Sequence, residues 1–444
     1  MSFHFTAGVF TMINAVLSID VSLDRLDVAL RTDDTGWQWP HRAYPNNWPG
    51  YQQLKADLQT ELGTHAAVQL TIVAESTGPY WWPAFYHLAH DDDLADYQPQ
   101  LAVLNPKQVK RLRQALPEQD KNDLLDPQLI DRYYQAFGIK HAYQFNDRYL
   151  PLRFLSRAYA RLIHTLAAEK TYLRSLLFTS ASEYQRLPPF SHLCGVTSLR
   201  LLDEFADIHT LANIPLDDLT DQLRHFSGHT LPHPDLKAQR LHQIADQSYP
   251  CPPHLVDSLH AIIQLSVAHI RFLSDNQKTL RRLIEQQLQQ LPEAEPALQQ
   301  PGLGPILVAG CLSEIQDTSR FITGTKFDRK LKSTRPRTYR DGQAAVAKLA
   351  GLWWPQRDSG RFQADDRHLA RERNSYLRYW FIQAAYTLQR YHPDYADFYR
   401  RKFDEVRTHQ HQRALILTAR KAVRLIFALL HKGQRACREE GLIA

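Results

Sequence analysis

The sequence predicts an α/β domain over residues 1–150, a helical region with a coiled-coil candidate over 151–298, and an all-α basic domain over 299–444. Three observations predict this. Short apolar runs of strand length fill the first hundred residues and alternate with helical stretches. Further on, apolar residues recur every three to four positions over long spans. Charge divides unevenly: the 444-residue chain has a net charge of +6, yet residues 301–444 hold 27 Lys and Arg against 14 Asp and Glu, leaving −7 for the residues before them.

The elements follow in order. Ala15 to Asp20 (AVLSID) is an apolar run that ends in a carboxylate, and Asp27 to Arg31 and Trp37 to Tyr44 are two further strand-like runs separated by turn residues. A helical stretch from Trp48 to Leu62 leads to Val68–Ala74 (VQLTIVA), a buried-strand pattern that also ends in a carboxylate, Glu75. Thr77, Gly78 and Pro79 start a helix carrying Trp81, Trp82, Phe85 and Tyr86; Gln100 to Leu104 is a fifth strand, and Asn105-Pro106 opens another helix. The boundary of this domain falls near residues 138–150. Leu152 to Leu177 is helical by its spacing. Leu259 to Leu291 has seven apolar residues at ten heptad core positions, which fits either a dimer seam or an amphipathic helix packed within its own chain. Residues 186–256, rich in Pro, His and Asp, read as an irregular insertion, and Leu291 to Pro301 (LPEAEPALQQP) as a linker. Pro301 to Ile315 begins with a GLG turn that is either a close approach to phosphate or a plain tight turn. Helices with basic faces are expected over Ala344 to Leu352, Leu369 to Arg390 and Arg413 to His431.

Composition sets limits. With 43% hydrophobic and 23% charged residues the chain is neither disordered nor fibrous, and at this length it needs no disulfide or metal to build a core. The four cysteines, Cys194, Cys251, Cys311 and Cys437, form no CxxC pair, which excludes a zinc ribbon and fits a reducing cytoplasm. No apolar run reaches the roughly 18 residues of a membrane span, and the N-terminus lacks a basic region followed by an apolar one, so a cytoplasmic protein without membrane association is expected. An acidic front and a basic back point to a polyanionic partner for the C-terminal part. The steepest stretch, Arg320 to Arg340, has eight basic residues against the single acid Asp328, and suits a solvated loop as well as a phosphate contact.

Four acids stand out. Asp20 and Glu75 each close an apolar strand, so on neighbouring strands both emerge at one end of the sheet. Asp123 and Asp126 are spaced i, i+3 on an expected helix and share a face. Carboxylates gathered in this way do not all stay ionised without a compensating cation. Their natural partner is a pair of Mg²⁺ ions, which activate an oxygen nucleophile and stabilise the leaving oxygen at phosphorus. Taken one at a time each acid reads as a helix cap or a surface residue; the order D…E…DxxD on a strands-then-α/β pattern is far more specific.

That order resembles a ribonuclease H-like domain of the RuvC type. The surrounding segments resemble one family, the DEDD-type insertion-sequence transposases, relatives of the Piv DNA invertase. They are SIDVS at Ser18–Ser22, ESTGPYWWP at Glu75–Pro83, LNPKQVK at Leu104–Lys110 and DKNDLLD at Asp120–Asp126, then PGLGPILVAGCLSEIQDTSRF at Pro301–Phe321, LAGLWWPQRDSGR at Leu349–Arg361, RNSYLR at Arg373–Arg378 and ALILTARKAVRLIFALL at Ala414–Leu430. The resemblance spans residues 15–178 and 296–432. It implies a metal-binding set of Asp20, Glu75, Asp123 and Asp126, and a serine nucleophile at Ser359 in the DSG segment, with Ser313, Ser319 and Ser375 as the rival serines. A serine that attacks a DNA phosphate conserves the bond energy in a phosphoseryl ester for rejoining. The resemblance also implies DNA as donor and target, a guiding bridge RNA, and a homo-oligomer, dimer or tetramer, in which Ser359 reaches the acids from another protomer. Candidate nucleic-acid contacts are Lys326, Arg329, Lys330, Lys332, Arg335 and Arg337 in the basic stretch, with Arg361, Arg373, Asn374 and Arg378 beyond it. Arg373-Asn374 departs from the Gly-Asn common in the family.

The expected activity is therefore DNA strand cleavage and rejoining. Two rivals stand beside it: a structure-specific nuclease that uses the same acids and metal-activated water, with Ser359 incidental, and a remnant that binds nucleic acid without cutting. A covalent protein–DNA species lost in Ser359→Ala separates the first rival, and metal-dependent cleavage excludes the second.

Overall fold

The computed structural model describes residues 12–65, 67–76, 78–115, 126–138, 143–205, 207–328, 332–355, 358–359, 362–363, 369–371 and 373–443. The chain divides into two compact units, Met1–Asn146 and Asp147–Ala444.

The first unit is built on a five-stranded sheet. Strands β1 (Ile13–Val21), β2 (Arg25–Thr32) and β3 (Gly36–Pro45) form an antiparallel meander, and α1 (Trp48–Leu62) crosses to β4 (Val68–Glu75), which lies parallel to β1. After α2 (Trp82–His90), β5 (Gln100–Leu104) pairs in parallel with β4, giving the order β3-β2-β1-β4-β5; α3 (Pro106–Ala115) and α4 (Asp126–Phe137) follow. The order is compatible with the ribonuclease H-like fold that the resemblance implies.

Strand alternation sends successive side chains to opposite faces. Leu17, Ile19 and Val21 join Leu26, Val28, Leu30, Leu70 and Ile72 in a core closed by Leu54 and Leu58 of α1 and Phe85 and Leu88 of α2. The other face of the same strands sends Val16 and Val73 into a smaller core with Ala102, Val109, Leu129 and Ile130. Being covered on both faces is why β1 and β4 read as continuous apolar runs. Helix α1 starts where the Asn47 side chain accepts a bond from the Gly50 amide at 2.9 Å.

The second unit is mostly helical: α5 (Leu150–Ser180), α6 (Val196–Glu204), α7 (Leu216–Phe226), α8 (Pro234–Gln247), α9 (Pro253–Gln289), α10 (Glu295–Leu298), α11 (Pro305–Ile315) and α12 (Ser319–Ile322). A hairpin of β6 (Thr325–Asp328) and β7 (Ser333–Pro336) precedes α13 (Tyr339–Leu349). A second, of β8 (Asp358–Ser359) and β9 (Phe362–Gln363), precedes α14 (Ser375–Tyr391), α15 (Pro393–Asp404) and α16 (Gln410–Glu439). The C-terminal part is thus not purely helical.

Two expectations are corrected here, and the alternative left open for the heptad helix is decided. Residues 186–256 are not irregular: α6, α7 and α8 pack Leu199, Leu202, Leu219, Leu223, Leu241 and Ile244 against Leu173 and Leu177 of α5 and Ile263, Val267 and Ile270 of α9. The Pro and Asp residues that suggested loops are helix starts, with Asp217 and Asp218 in the first turn of α7 and Pro234 opening α8.

The heptad face of α9 closes within the chain, so it is not a dimer seam. Ile263, Ile270, Leu273 and Ile284 are buried. Two polar interruptions have intrachain partners, Ser266 donating to Glu169 of α5 at 2.6 Å and Gln277 to the Tyr159 hydroxyl of α5 at 3.0 Å.

Leu291 to Pro301 is no free linker either. Leu291, Ala294 and Ala297 are buried, and Glu293 is fully buried, gripped by both nitrogens of a bidentate Arg148 at 2.7 Å and by the Tyr149 hydroxyl at 2.9 Å. The GLG segment is likewise a packed turn. Gly302 has φ +86°, a Cβ there would come 3.3 Å from the Leu388 Cα, and the Thr387 hydroxyl donates to the Gly302 carbonyl at 2.6 Å.

Candidate active site

The parallel register of β1 and β4 sets Ile19 opposite Ala74, so the next residues, Asp20 just before the end of β1 and Glu75 at the end of β4, come side by side. Both alternate with residues of the α1-facing core, Ile19 and Ala74, so both lie on the face that α4 covers. The carboxyl end of parallel strands is where α/β sheets place their ligands. Asp126 is the first residue of α4, whose position on the sheet is fixed by an ion pair. Arg31 of β2 reaches the fully buried Asp131 carboxylate with Nε at 3.0 Å and Nη2 at 3.4 Å. Leu129 and Ile130 pack beside that pair against Val16 and Val73.

The electrostatics tie the three acids together. Burial, then the Asp20 charge, push the Glu75 carboxyl up to about 7, with Asp126 adding to the rise and the Arg113 guanidinium opposing it. Arg113 of α3 also donates to Asp126 at 2.6 Å. Asp27 lies opposite Asp20 in the register and on the same face, but its charge is matched locally, with His41 Nε2 at 2.9 Å and Arg25 at 3.4 Å. Asp20, Glu75 and Asp126 are thus the acids that interact at this end of the sheet, with Arg113 paired to Asp126. Asp123, the fourth acid expected, lies outside the described residues. Among the described residues no three His, Cys, Asp or Glu side chains are gathered closely enough to hold a metal ion. The donors still suit one: they are hard carboxylate oxygens, and a divalent cation would offset the burial and the repulsion that favour a proton on Glu75.

In the second unit, Ser359 lies on β8, paired with Phe362 of β9. The rival serines have other duties. Ser313 is fully buried, 2.9 Å from the Ser156 hydroxyl and donating to the Gly310 carbonyl at 3.2 Å; Ser319 donates to Asp317 at 2.6 Å; and Ser375 opens α14.

The expected nucleic-acid contacts divide by partner. Asn374 caps α14, accepting from the Leu377 amide at 3.0 Å and donating to the buried Glu314 at 2.7 Å. Glu314 is also held by Arg157 at 2.6 Å and Arg153 at 3.4 Å. Arg378 ties three backbone carbonyls, Ala350 at 3.0 Å, Gly351 at 2.6 Å and Ala370 at 2.9 Å. Arg335 bridges Asp328 at 2.9 Å and Asp341 at 2.7 Å, and Lys326 joins Asp341 at 2.8 Å. Internal bonds thus account for Asn374, Arg378, Arg335 and Lys326. Arg337 donates to the Thr325 carbonyl at 3.3 Å. Lys332 and Arg373 are exposed, and Arg329, Lys330 and Arg361 lie outside the described residues.

Sequence reasoning missed Arg31–Asp131, which orients α4, and Arg113, which counters the acid cluster. Charge sign and position in the chain gave no signal for either, since the Arg31 and Asp131 partners lie 100 residues apart. A groove lined by Arg340, Arg420 and Arg424 was also not foreseen, although the i, i+4 spacing of the last two on a basic helix face is visible in the sequence.

Comparison with known proteins adds two matches. Residues 17–180 match the DEDD transposase family typified by IS110, and residues 333–400 match the transposase family IS116/IS110/IS902. No curated protein matches the chain. No described helix is long and apolar enough to cross a membrane.

Proposed function

Because the chain belongs to the IS110 family of DEDD-type transposases, we propose that it cleaves and rejoins DNA strands with a RuvC-type carboxylate centre and a serine nucleophile. The observation that carries this reading is the side-by-side placement of Asp20 and Glu75 at the carboxyl ends of parallel strands, with Asp126 near enough to raise Glu75 further. Asp20, Glu75, Asp123 and Asp126 are the residues that would hold divalent metal. Two bound Mg²⁺ ions would supply the positive charge that activates an oxygen nucleophile and steadies the leaving oxygen. The chain's own part is to fix the carboxylates: β1 and β4 set two, and the Arg31–Asp131 pair sets the helix that carries a third.

Ser359 supplies the nucleophile. Its Oγ forms a bond to phosphorus as the bond to the leaving strand oxygen breaks. The hydroxyl proton is lost to base, and the leaving oxygen is protonated. Rejoining is the reverse attack by a strand hydroxyl, which returns Ser359. The partners are donor and target DNA and a guiding bridge RNA, and a homo-oligomer pairs the acids of one copy with the serine of another. On α9 the heptad face is filled by the chain itself, but Leu265 and Phe272, one heptad apart, are 71% and 63% exposed. A second copy would pack on that stripe.

The test is metal-dependent cleavage of a DNA substrate carrying the ends of the mobile element. Asp20→Ala, folded to the same melting profile, abolishes cleavage at every Mg²⁺ concentration. Cleavage by this variant at near-wild-type rate would remove the carboxylate centre from the reaction.

A further inference from the structure

We infer that a groove between α13 and α16 holds a backbone phosphate of the bound nucleic acid, gripped by Arg340, Arg420 and Arg424; the inference rests on the reading of the chain as a nucleic-acid enzyme. The groove encloses about 330 Å³ and is lined by Arg340, Gln343, Ala344, Ala347, Arg420 and Arg424. The α13 contributors recur at i, i+3, i+4 and i+7, so they form one face, and Arg420 and Arg424 are one turn apart on α16. Two alanines on that face leave space where longer side chains would fill the cleft.

The charges there differ from those of several arginines of this unit. Arg148, Arg153, Arg157 and Arg335 each meet a buried or half-buried carboxylate. Among the described residues Arg340 and Arg424 are paired with no carboxylate, and both are exposed. Arg420 is half-buried: it donates to the Leu352 carbonyl and lies over the Trp354 ring at 5.6 Å. Burial, and then Arg424, disfavour its charge. Three guanidiniums around one small concavity, without a carboxylate partner among the described residues, call for an anion with several acceptor oxygens, and phosphate fits the planar donor fork.

Placement supports a phosphate of the reacting strand. Through Leu352 and Trp354, Arg420 is bonded to the segment that runs on to β8 and Ser359. Arg340, Arg420 and Arg424 are therefore positioning residues that hold the strand in register, while the bond-making falls to Ser359.

The test uses the full-length protein with two probes, a mixed-sequence DNA duplex and a single-stranded RNA, titrated by fluorescence anisotropy over a range of salt. Arg340→Gln with Arg424→Gln should weaken binding of at least one probe about tenfold. The slope of log affinity against log salt should become shallower by about one for each phosphate that is no longer gripped. The probe whose affinity falls more identifies the strand that occupies the groove. Arg340→Lys with Arg424→Lys should recover part of the affinity, because charge is kept and the fork is removed. Arg161→Gln with Arg282→Gln, on exposed helix positions away from the groove, removes the same charge and should change binding far less. An equal fall in affinity for that control pair would overturn the inference in favour of general electrostatics, and so would unchanged affinity and slope for both probes in the groove variant. A wild-type protein that binds both probes normally but never forms a covalent Ser359 adduct would instead defeat the serine-nucleophile reading, leaving the groove intact.

Discussion

Replacing Glu75 with Gln should stabilise the metal-free protein while abolishing its activity. The carboxyl rises from 4.5 to about 7 because it is buried beside the charges of Asp20 and Asp126. A folded-state pKa above the unfolded value means that the folded protein binds the extra proton, so wild-type stability falls as pH climbs from about 4.5 to about 7. Above that window the native state carries the full cost. Two and a half units at 1.36 kcal/mol each set a ceiling of about 3 kcal/mol. Partial exposure and salt screening reduce it to roughly 1–2 kcal/mol. Glutamine keeps the shape and removes the charge. Urea unfolding in chelator at pH 8 should therefore show Glu75→Gln more stable than wild type by that amount, and most of the gain should vanish at pH 5, where the wild-type carboxyl is already protonated. Divalent metal should stabilise wild type and not the variant, since the variant has lost an anionic ligand. A variant no more stable at pH 8, or stabilised equally at both pH values, would show that Glu75 does not sit in a repulsive carboxylate cluster.

Two further outcomes follow from the packing. Asp131→Asn leaves Arg31 facing a buried neutral group and should cost about 3 kcal/mol in urea unfolding, with weaker metal binding because α4 and Asp126 lose their anchor; unchanged stability and metal affinity together would refute the anchoring role. Leu265→Asp with Phe272→Asp, on the exposed stripe of α9, should shift the protein toward monomer by light scattering without lowering its melting temperature. An unchanged mass would place the oligomer contact elsewhere.

Much of the first unit was legible because its physics is local. Strands covered on both faces show as uninterrupted apolar runs, and the carboxylates at the carboxyl ends of β1 and β4, Asp20 and Glu75, stand out against them. The pairing of those strands, on which the meeting of Asp20 and Glu75 depends, is a fact of register that follows once the strands are neighbours. Legibility failed where partners are distant or where one residue type serves two purposes. Proline and aspartate in residues 186–256 signalled loops, yet in α7 and α8 they start helices whose leucines fill a core. The heptads of α9 correctly marked an apolar face, but periodicity names a face and not its occupant, and here α5 of the same chain fills it. Asn374 and Arg378 were expected as nucleic-acid contacts from the RNSYLR segment, but their bonds to Glu314 and to three backbone carbonyls join distant parts of the chain and leave no local signal. Arg340, Arg420 and Arg424 were hidden for the opposite reason, since they come together only when α13 packs against α16.

A carboxylate-centred transposase that works through a serine must pass through a covalent protein–DNA intermediate, and mapping that intermediate is the decisive experiment. Full-length protein is incubated with Mg²⁺ and element-end DNA, with and without RNA transcribed from the DNA that flanks the gene, quenched in denaturant, digested and analysed by mass spectrometry. A phosphodiester adduct on Ser359 is predicted, absent from Ser359→Ala and from Asp20→Ala, although Ser359→Ala should still bind nucleic acid. An adduct mapped to another residue, or DNA cleaved normally with no adduct in wild type, would contradict this mechanism.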